Sequence, residues 1–427
     1  MHSMKNSLIW RNLWLIPVIV LFASNHAWAV VTLADLQEKG ITSRKIIERY
    51  RSAVQQAEES RTISRSPLWP SMDIRYSANA LDEDSALENS KNSELVGSLS
   101  YNLFSGFKDR YQTHAFDQLK LSREFELQNI MQEIKYKISI RYIDVFRAKN
   151  RLIVSRDEVA LLRKRYRDAE NRFDVGLIRR NELLKLRVQM DDSIQKMKTA
   201  EADLQKSIHF LEFETESGIQ ENSLLFHEFS TLPEVQDLKH YHALLKTNRS
   251  EIKALESLQS SQSYQTSSLR SAYYPSVDVS ANYSRYGDDF VFGLEEEEED
   301  EIRLTLDVTM NLFAGFRHDA QISRAKLEEK QIADNIHELK KILETELKNT
   351  YMDFDVARNN LEVAESSVAQ AEENLRITDA AFKEGVETAT DVLDAVLNLS
   401  RAKFNAIHSR SEVFAEYYRL IRIVEGL

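Results

Sequence analysis

Cysteine is absent, glycine and proline are scarce, and beyond the first thirty residues no apolar run approaches the length of a membrane-spanning helix. Without cysteine there are no disulfides, no thiolate metal sites and no lipidated amino-terminal Cys. Ten Gly and five Pro in 427 residues are roughly half or less of ordinary usage, so the elements must be few and long. Acidic residues outnumber basic ones, 68 to 56, giving a net charge of −12. That balance argues against nucleic acid as the main partner, because a phosphate-binding surface needs clustered cations. The ten His are scattered, and no nucleophile elbow, phosphate loop or paired metal-ligand motif occurs. An enzyme is not expected, nor a metal or other cofactor.

Residues 1–29 have the form of a secretory signal. Lys5 and Arg11 flank the start of the apolar run Leu13–Ala23, and Ala27-Trp28-Ala29 offers a small-x-small cleavage site. The run is too short to span a bilayer comfortably. Cleavage would start the mature chain at Val30, with a net charge of −14 (−12 − 2). If the exported chain crosses a membrane, it must do so with strands.

The rest is written twice. A polar helical pattern from Thr32 to about Ser66 ends at Pro67-Leu-Trp69-Pro70. Met72, Ile74, Tyr76, Ala78 and Ala80 then alternate with polar residues. After a polar loop (81–93), Leu95, Gly97, Leu99, Tyr101 and Leu103 alternate mainly with Ser98, Ser100 and Asn102. This predicts a hairpin of strands over about 72–80 and 95–104, with one greasy and one wet face. Asn102-Leu-Phe104-Ser-Gly106-Phe107 closes it. No Gly or Pro interrupts 108–175, enough for a helix of about 100 Å. Gly176 ends that run, a second helix covers about 182–213, and 214–236 form an irregular equatorial connection.

A helix from about Val235 to Ser271 opens the second copy. Strands follow over about 277–286 and 302–313, separated by a polar loop whose Glu295–Asp300 run reads as a solvated external face. Asn311-Leu-Phe313-Ala-Gly315-Phe316 repeats the closing motif 209 positions later (311 − 102). Long helices over about 317–384 and 391–424 complete the copy. The chain thus divides into a signal segment (1–29), a first repeat (30–213), the connection (214–236) and a second repeat (237–427).

Strands of this length, alternating apolar and polar, suit a barrel wall between lipid and water. Tyr76, Tyr101, Tyr273, Tyr274, Tyr283 and Trp69 lie near strand ends, where interfacial aromatics are expected. Four strands cannot close a transmembrane barrel, and lipid tolerates no open edge. Two chains would give eight strands and three would give twelve. The long helices carry coiled-coil seams: Val145, Ala148, Leu152, Val159, Leu162, Tyr166, Ala169 and Phe173 in one copy, and Phe354, Ala357, Leu361, Ala364, Val368, Ala371, Leu375 and Phe382 in the other. Each is followed by a glycine turn. A periplasmic coiled-coil scaffold without channel activity is the rival reading, but it leaves the two hairpins unexplained.

At the second turn, Phe382-Lys-Glu-Gly385-Val-Glu387-Thr-Ala-Thr390-Asp391-Val-Leu-Asp394, Thr390 is the expected N-cap, and acids in the first turn suit the helix dipole. Asp391 and Asp394, at i and i+3, share a helix face. The position matching Asp394 in the first copy is Lys185, so only the second repeat would supply carboxylates there.

Over essentially all of the mature sequence the chain resembles the TolC family of outer-membrane efflux and secretion ducts. The likeness rests on Asn-Leu-Phe-x-Gly-Phe at 102–107 and 311–316, on Pro70 and Pro275 before the strands, and on the turns around Gly176 and Gly385. It implies a mainly α fold with a transmembrane β-barrel part: a homotrimer whose 12-stranded barrel, four strands per chain, continues into an α-helical coiled-coil barrel in the periplasm. It implies an inner-membrane ABC or proton-driven transporter and a periplasmic adaptor, or membrane fusion protein, as partners. The adaptor would dock at tips that here are Gly176, Leu177, Gly385 and Val386. Gly106, Phe107, Gly315 and Phe316 would be strand–helix junctions, and Asp391 and Asp394 would line a cation-selective constriction. Relatives latch the entrance with a Tyr and an Arg bonded to a Thr-Asp pair. Those positions are here Phe382, Glu387, Asn181 and Glu182, so Arg179 or Arg180 is the candidate partner for Glu387.

Overall fold

The computed structural model describes residues 31–83, 90–287, 289–290 and 300–427. The expected signal segment and nearly all of the Glu295–Asp300 run lie outside them. In chain order the elements are α1 (Leu33–Ser43), α2 (Lys45–Arg65), β1 (Ser71–Ala80), β2 (Lys91–Phe104), α3 (Lys108–Asp174) and α4 (Arg180–Thr215). The second set is α5 (Leu238–Asn248), α6 (Ser250–Leu269), β3 (Ser276–Gly287), β4 (Asp300–Thr309), α7 (Arg317–Lys383) and α8 (Ala389–Ile423).

The four strands form one antiparallel sheet in the order β1-β2-β3-β4. Its register places like residues in rows across the sheet. Ile74, Gly97, Tyr283 and Ile302 stand in one row, and Asp73, Ser98, Asn282 and Arg303 in the next. Cross-strand side-chain bonds lace polar positions, Asn102 donating to Asp278 at 2.6 Å and Asn79 to Asn92 at 2.9 Å. The apolar rows stay open: Ile302, Leu304 and Ile74 are each more than three-quarters exposed. Among the described residues no helix is long and apolar enough to cross a membrane.

Two strand bounds differ from the sequence pattern. β2 begins at Lys91 rather than 95, because Lys91–Glu94 complete the ladder with Ala80–Ser77; backbone pairing outweighs the loss of apolar alternation. β4 stops at Thr309 rather than 313. Thr309 faces Ser276, the first residue of β3, so Met310–Phe313 have no strand to pair with among the described residues.

The two expected single helices at Thr32–Ser66 and Val235–Ser271 are each two. The breaks fall on Arg44 and Arg249, both with extended ψ of 123° and 104°. Neither is Gly or Pro, so composition gave no warning. Side chains replace the lost helical bonds. Glu216 accepts from the Lys45 amide at 3.3 Å, and its twin Glu425 accepts from the Ser250 amide at 2.8 Å. Both glutamates are left-handed residues just beyond α4 and α8. Arg44 pairs with Glu214 at 3.2 Å, and the buried Arg249 with Glu425 at 3.8 Å.

The long helices pair antiparallel, α3 with α4 and α7 with α8, and α8 also packs along α3. Half-way along, the 214–236 connection inserts Phe226 and Phe229 against Tyr142, Phe146 and Phe414, with the Phe229 and Phe414 rings 4.6 Å apart. The principal core gathers here, around Tyr142, Ile138, Leu211 and Ile47.

The sheet meets the helices through two consecutive left-handed residues in each repeat: Gly106 and Phe107, then Gly315 and Phe316. An edge-to-face ring pair closes each corner, Phe104 on Phe107 at 5.2 Å and Phe313 on Phe316 at 5.5 Å. A Cβ on Gly106 would lie 2.8 Å from the Ser271 carbonyl oxygen. Gly106→Ala should therefore destabilise the fold by about 1–3 kcal/mol. Gly97→Ala, with open space around it, should stay within about 0.5 kcal/mol; melting in detergent compares the two.

Candidate functional site at the helix tips

Both turns close by the same bonds. Past α3, the Gly176 amide donates to the Phe173 carbonyl at 2.9 Å and Leu177 to Arg172 at 2.8 Å. Past α7, Gly385 donates to Phe382 at 3.1 Å and Val386 to Ala381 at 2.9 Å. Gly176 and Gly385 have φ of +76° and +77° with open space around them, so backbone conformation, not packing, demands glycine.

The N-cap of α8 is Thr388, not Thr390. The Thr388 hydroxyl accepts from the Asp391 amide at 3.3 Å, and the Asp391 carboxylate accepts from the Thr388 amide at 2.8 Å and its hydroxyl at 2.6 Å. The capping box needs an acid three residues after the cap, and Asp391, not Asp394, supplies it. Asp391 is thereby half-buried and committed to its own helix, while Asp394, one turn on, is exposed. The Thr388 hydroxyl and backbone hold the Asp391 carboxyl below its usual range. Hydrogen bonding to Asp391, reinforced by the charge of that carboxylate, raises Glu387.

The proposed latch residues are not brought together within the chain. Arg179, Arg180 and Asn181 are exposed, Glu182 is half-buried, and Glu387 turns to Asp391. Phe382 is buried in a cluster that joins the repeats: Leu162, Ala169, Leu186 and Met190 from α3 and α4 meet Val392, Leu393 and Val396 from α8. Leu177 and Val386 protrude at the extreme tips, 71% and 78% exposed.

Contacts that sequence reasoning missed tie the hairpins together. Arg165 on α3 reaches Asp379 on α7 at 2.5 Å, where Asp379 also meets Lys383 at 3.1 Å. Arg172 lies 4.3 Å over the Phe382 ring and donates to the Phe382 carbonyl at 3.4 Å. A cation thus covers the Phe382 ring at the seam between the hairpins. Arg165 and Asp379 sit at non-matching places in the two repeats, so the duplication could not have paired them.

Burial raises the Asp379 carboxyl, but hydrogen bonds from Lys383 and Arg165 outweigh it and leave it below its ordinary range. Its contribution is therefore present above the unfolded pKa and is lost as pH falls through the depressed folded value. The cysteine-free chain allows spin labels at Leu177→Cys and Val386→Cys. Asp379→Asn is expected to broaden and lengthen the inter-tip distance at neutral pH. The parent should do so only below the usual carboxylate range.

The family model described as "Outer membrane efflux protein" matches residues 242–424, the second repeat. The outer membrane efflux protein BepC of Brucella suis is 20% identical over 91% of this chain and 84% of its own. The outer membrane protein TolC of Vibrio cholerae is 22% identical over 87% and 85%. Among solved structures, CusC superposes with a TM-score of 0.80 over 92% of this chain and 91% of its own, at 13% identity. VceC of Vibrio cholerae gives 0.78 over 92% and 96%, at 16% identity. The fold is that of these outer-membrane channels; the second repeat matches the outer membrane efflux protein family, and the similarity to BepC and TolC extends through both repeats.

Proposed function

We propose that three copies of this chain form an outer-membrane duct that passively conducts cargo outward. An inner-membrane transporter and a periplasmic adaptor would deliver it, in tripartite efflux or type I secretion. The helices extend into the periplasm, and the entrance is gated at their tips. The observation that carries this reading is that the second repeat lacks neighbours the first one has. α3 is packed along its length by α1, α2, α4, α6 and α8, whereas α7 is packed by α5, α6 and α8 and meets α3 at the tip through Arg165–Asp379 and Arg172–Phe382.

Matching residues report the difference. Ile143 and Val154 on α3 are 2% and 9% exposed; their twins Met352 and Val363 on α7 are 57% and 67% exposed. Conversely, Leu393 on α8 is 8% exposed and its twin Leu184 on α4 is 54%. The same neighbours supplied by another copy, α2 and α4 against α7 and β1 against β4, complete the pattern. They give Met310–Phe313 a strand to pair with. The seam is heterologous and closes into a ring; twelve strands leave room for a channel. A periplasmic scaffold has no use for the open apolar face of the sheet.

In such a ring Asp394 faces the entrance most freely, with Asp391 behind it in the cap. Three copies gather these acids into a site that favours cations. Gly176, Leu177, Gly385 and Val386 are the adaptor-docking tips. The entrance is held shut by Arg165–Asp379 and Arg172–Phe382 rather than by a tyrosine and arginine latch.

Detergent-resistant trimers and single-channel conductance in planar bilayers test the reading; a monomer soluble without detergent would refute it. Leu184→Asp with Val188→Asp should abolish the trimer, the cost being about 2 kcal/mol or more per seam from buried unpaired charge. Asp394→Asn should raise conductance and weaken block by trivalent cations, and adding Asp391→Asn should extend the effect.

A further inference from the structure

The two tips carry opposite charge. Residues 163–187 hold nine Lys/Arg and four Asp/Glu, a net of +5 (9 − 4). The matching window 372–396 holds two Lys/Arg and seven Asp/Glu, a net of −5 (2 − 7). Farther along α3 several cations pair with acids of the same helix: Arg123 with Glu126, and Arg141 and Arg147 with Asp144. At the first tip six cations do not. Arg163, Lys164, Arg167, Arg179, Arg180 and Lys185 are exposed and make no ion pair among the described residues.

Two of these cations also sit where a helix disfavours them. Arg179 is the N-cap of α4 and Arg180 its first residue, at the positive end of the dipole, with no side-chain cap. The same place in the second repeat has a full capping box. Stability has been given up at one tip and kept at the other. Beside the cations, Val175 and Leu177 are 69% and 71% exposed, an apolar knob with Arg179 and Arg180 following it and Asp174 before it.

We propose that the α3–α4 turn is an electropositive docking surface for an acidic helical segment of a partner protein, whereas the α7–α8 turn does not take that partner. The proposal rests on reading the tips as the end that meets the adaptor, and specifies the partner's chemistry: carboxylates around an apolar pocket that receives Leu177. In a ring the positive and negative hairpins alternate, so a partner with six equivalent contacts would meet two kinds of site and bind one more tightly. Complementary charge of this kind steers encounter and fixes register.

The probes are two synthetic helical-hairpin peptides, identical except for four turn residues that are all Glu in one and all Lys in the other. Binding to the full chain in detergent is measured by fluorescence anisotropy. The Glu hairpin should bind at least about tenfold more tightly than the Lys hairpin and weaken steeply between about 0.05 and 0.3 M salt. Arg179→Glu with Arg180→Glu should reverse the preference. Arg163→Glu with Arg167→Glu, farther from the turn, should reduce it, and serves if the first variant does not assemble. Equal binding of the two hairpins, or a preference unchanged by charge reversal, overturns the proposal. So does binding to vesicles of phosphatidylglycerol without binding to the Glu hairpin, which would make the surface a lipid contact. Wild-type conductance is measured separately, so failure of the channel reading shows there and not in the hairpin comparison.

Discussion

A sheet in hydrocarbon must satisfy every backbone donor and acceptor from within the protein. The rest of the structure depends on that constraint. The outer edges of β1 and β4 carry unpaired ladders, and the strands are too few to curl round and meet. In hydrocarbon such a sheet needs further strands at both edges. The same incompleteness runs down the helices, where α7 exposes residues whose twins on α3 are buried. One geometrical offset between the repeats thus runs from the sheet to the helices.

Duplication explains how such a seam is encoded economically. In the ring we propose, the contact between repeats inside a chain, α8 on α3 and β3 on β2, would be the template for the contact between chains. Once divergence begins, the two versions can take different work. Here the capping box, the carboxylates and the buried Phe382 lie in the second repeat, while the uncapped arginines lie in the first. The first hairpin has become basic and the second acidic without loss of the shared frame.

Much of the fold was legible because long elements leave strong periodic traces. The 67-residue helices α3 and α7, the two glycine turns, the left-handed junction glycines and the alternating strands all follow from local pattern. What escaped was long-range or side-chain mediated. The breaks at Arg44 and Arg249 are made by glutamates about 170 residues away, and nothing local marks them. Thr388 and Thr390 are equally good caps by type; only the spacing to Asp391 in a formed helix separates them. At the tips the sequence located the turns and the acids. It did not reveal that Arg165 would reach Asp379, since lateral pairing between two hairpins depends on how far one has slid past the other.

The equatorial breaks have a mechanical meaning. Arg44 and Arg249, locked by Glu214, Glu216 and Glu425, brace the two breaks. From Tyr142 in the aromatic cluster α3 runs uninterrupted to Asp174, a lever of about 48 Å. A tilt of about 5° at the cluster would carry the tip sideways by about 4 Å over that length, more than the reach of one hydrogen bond. A small rotation at the equator is thus read out far away, with no bend within the helix.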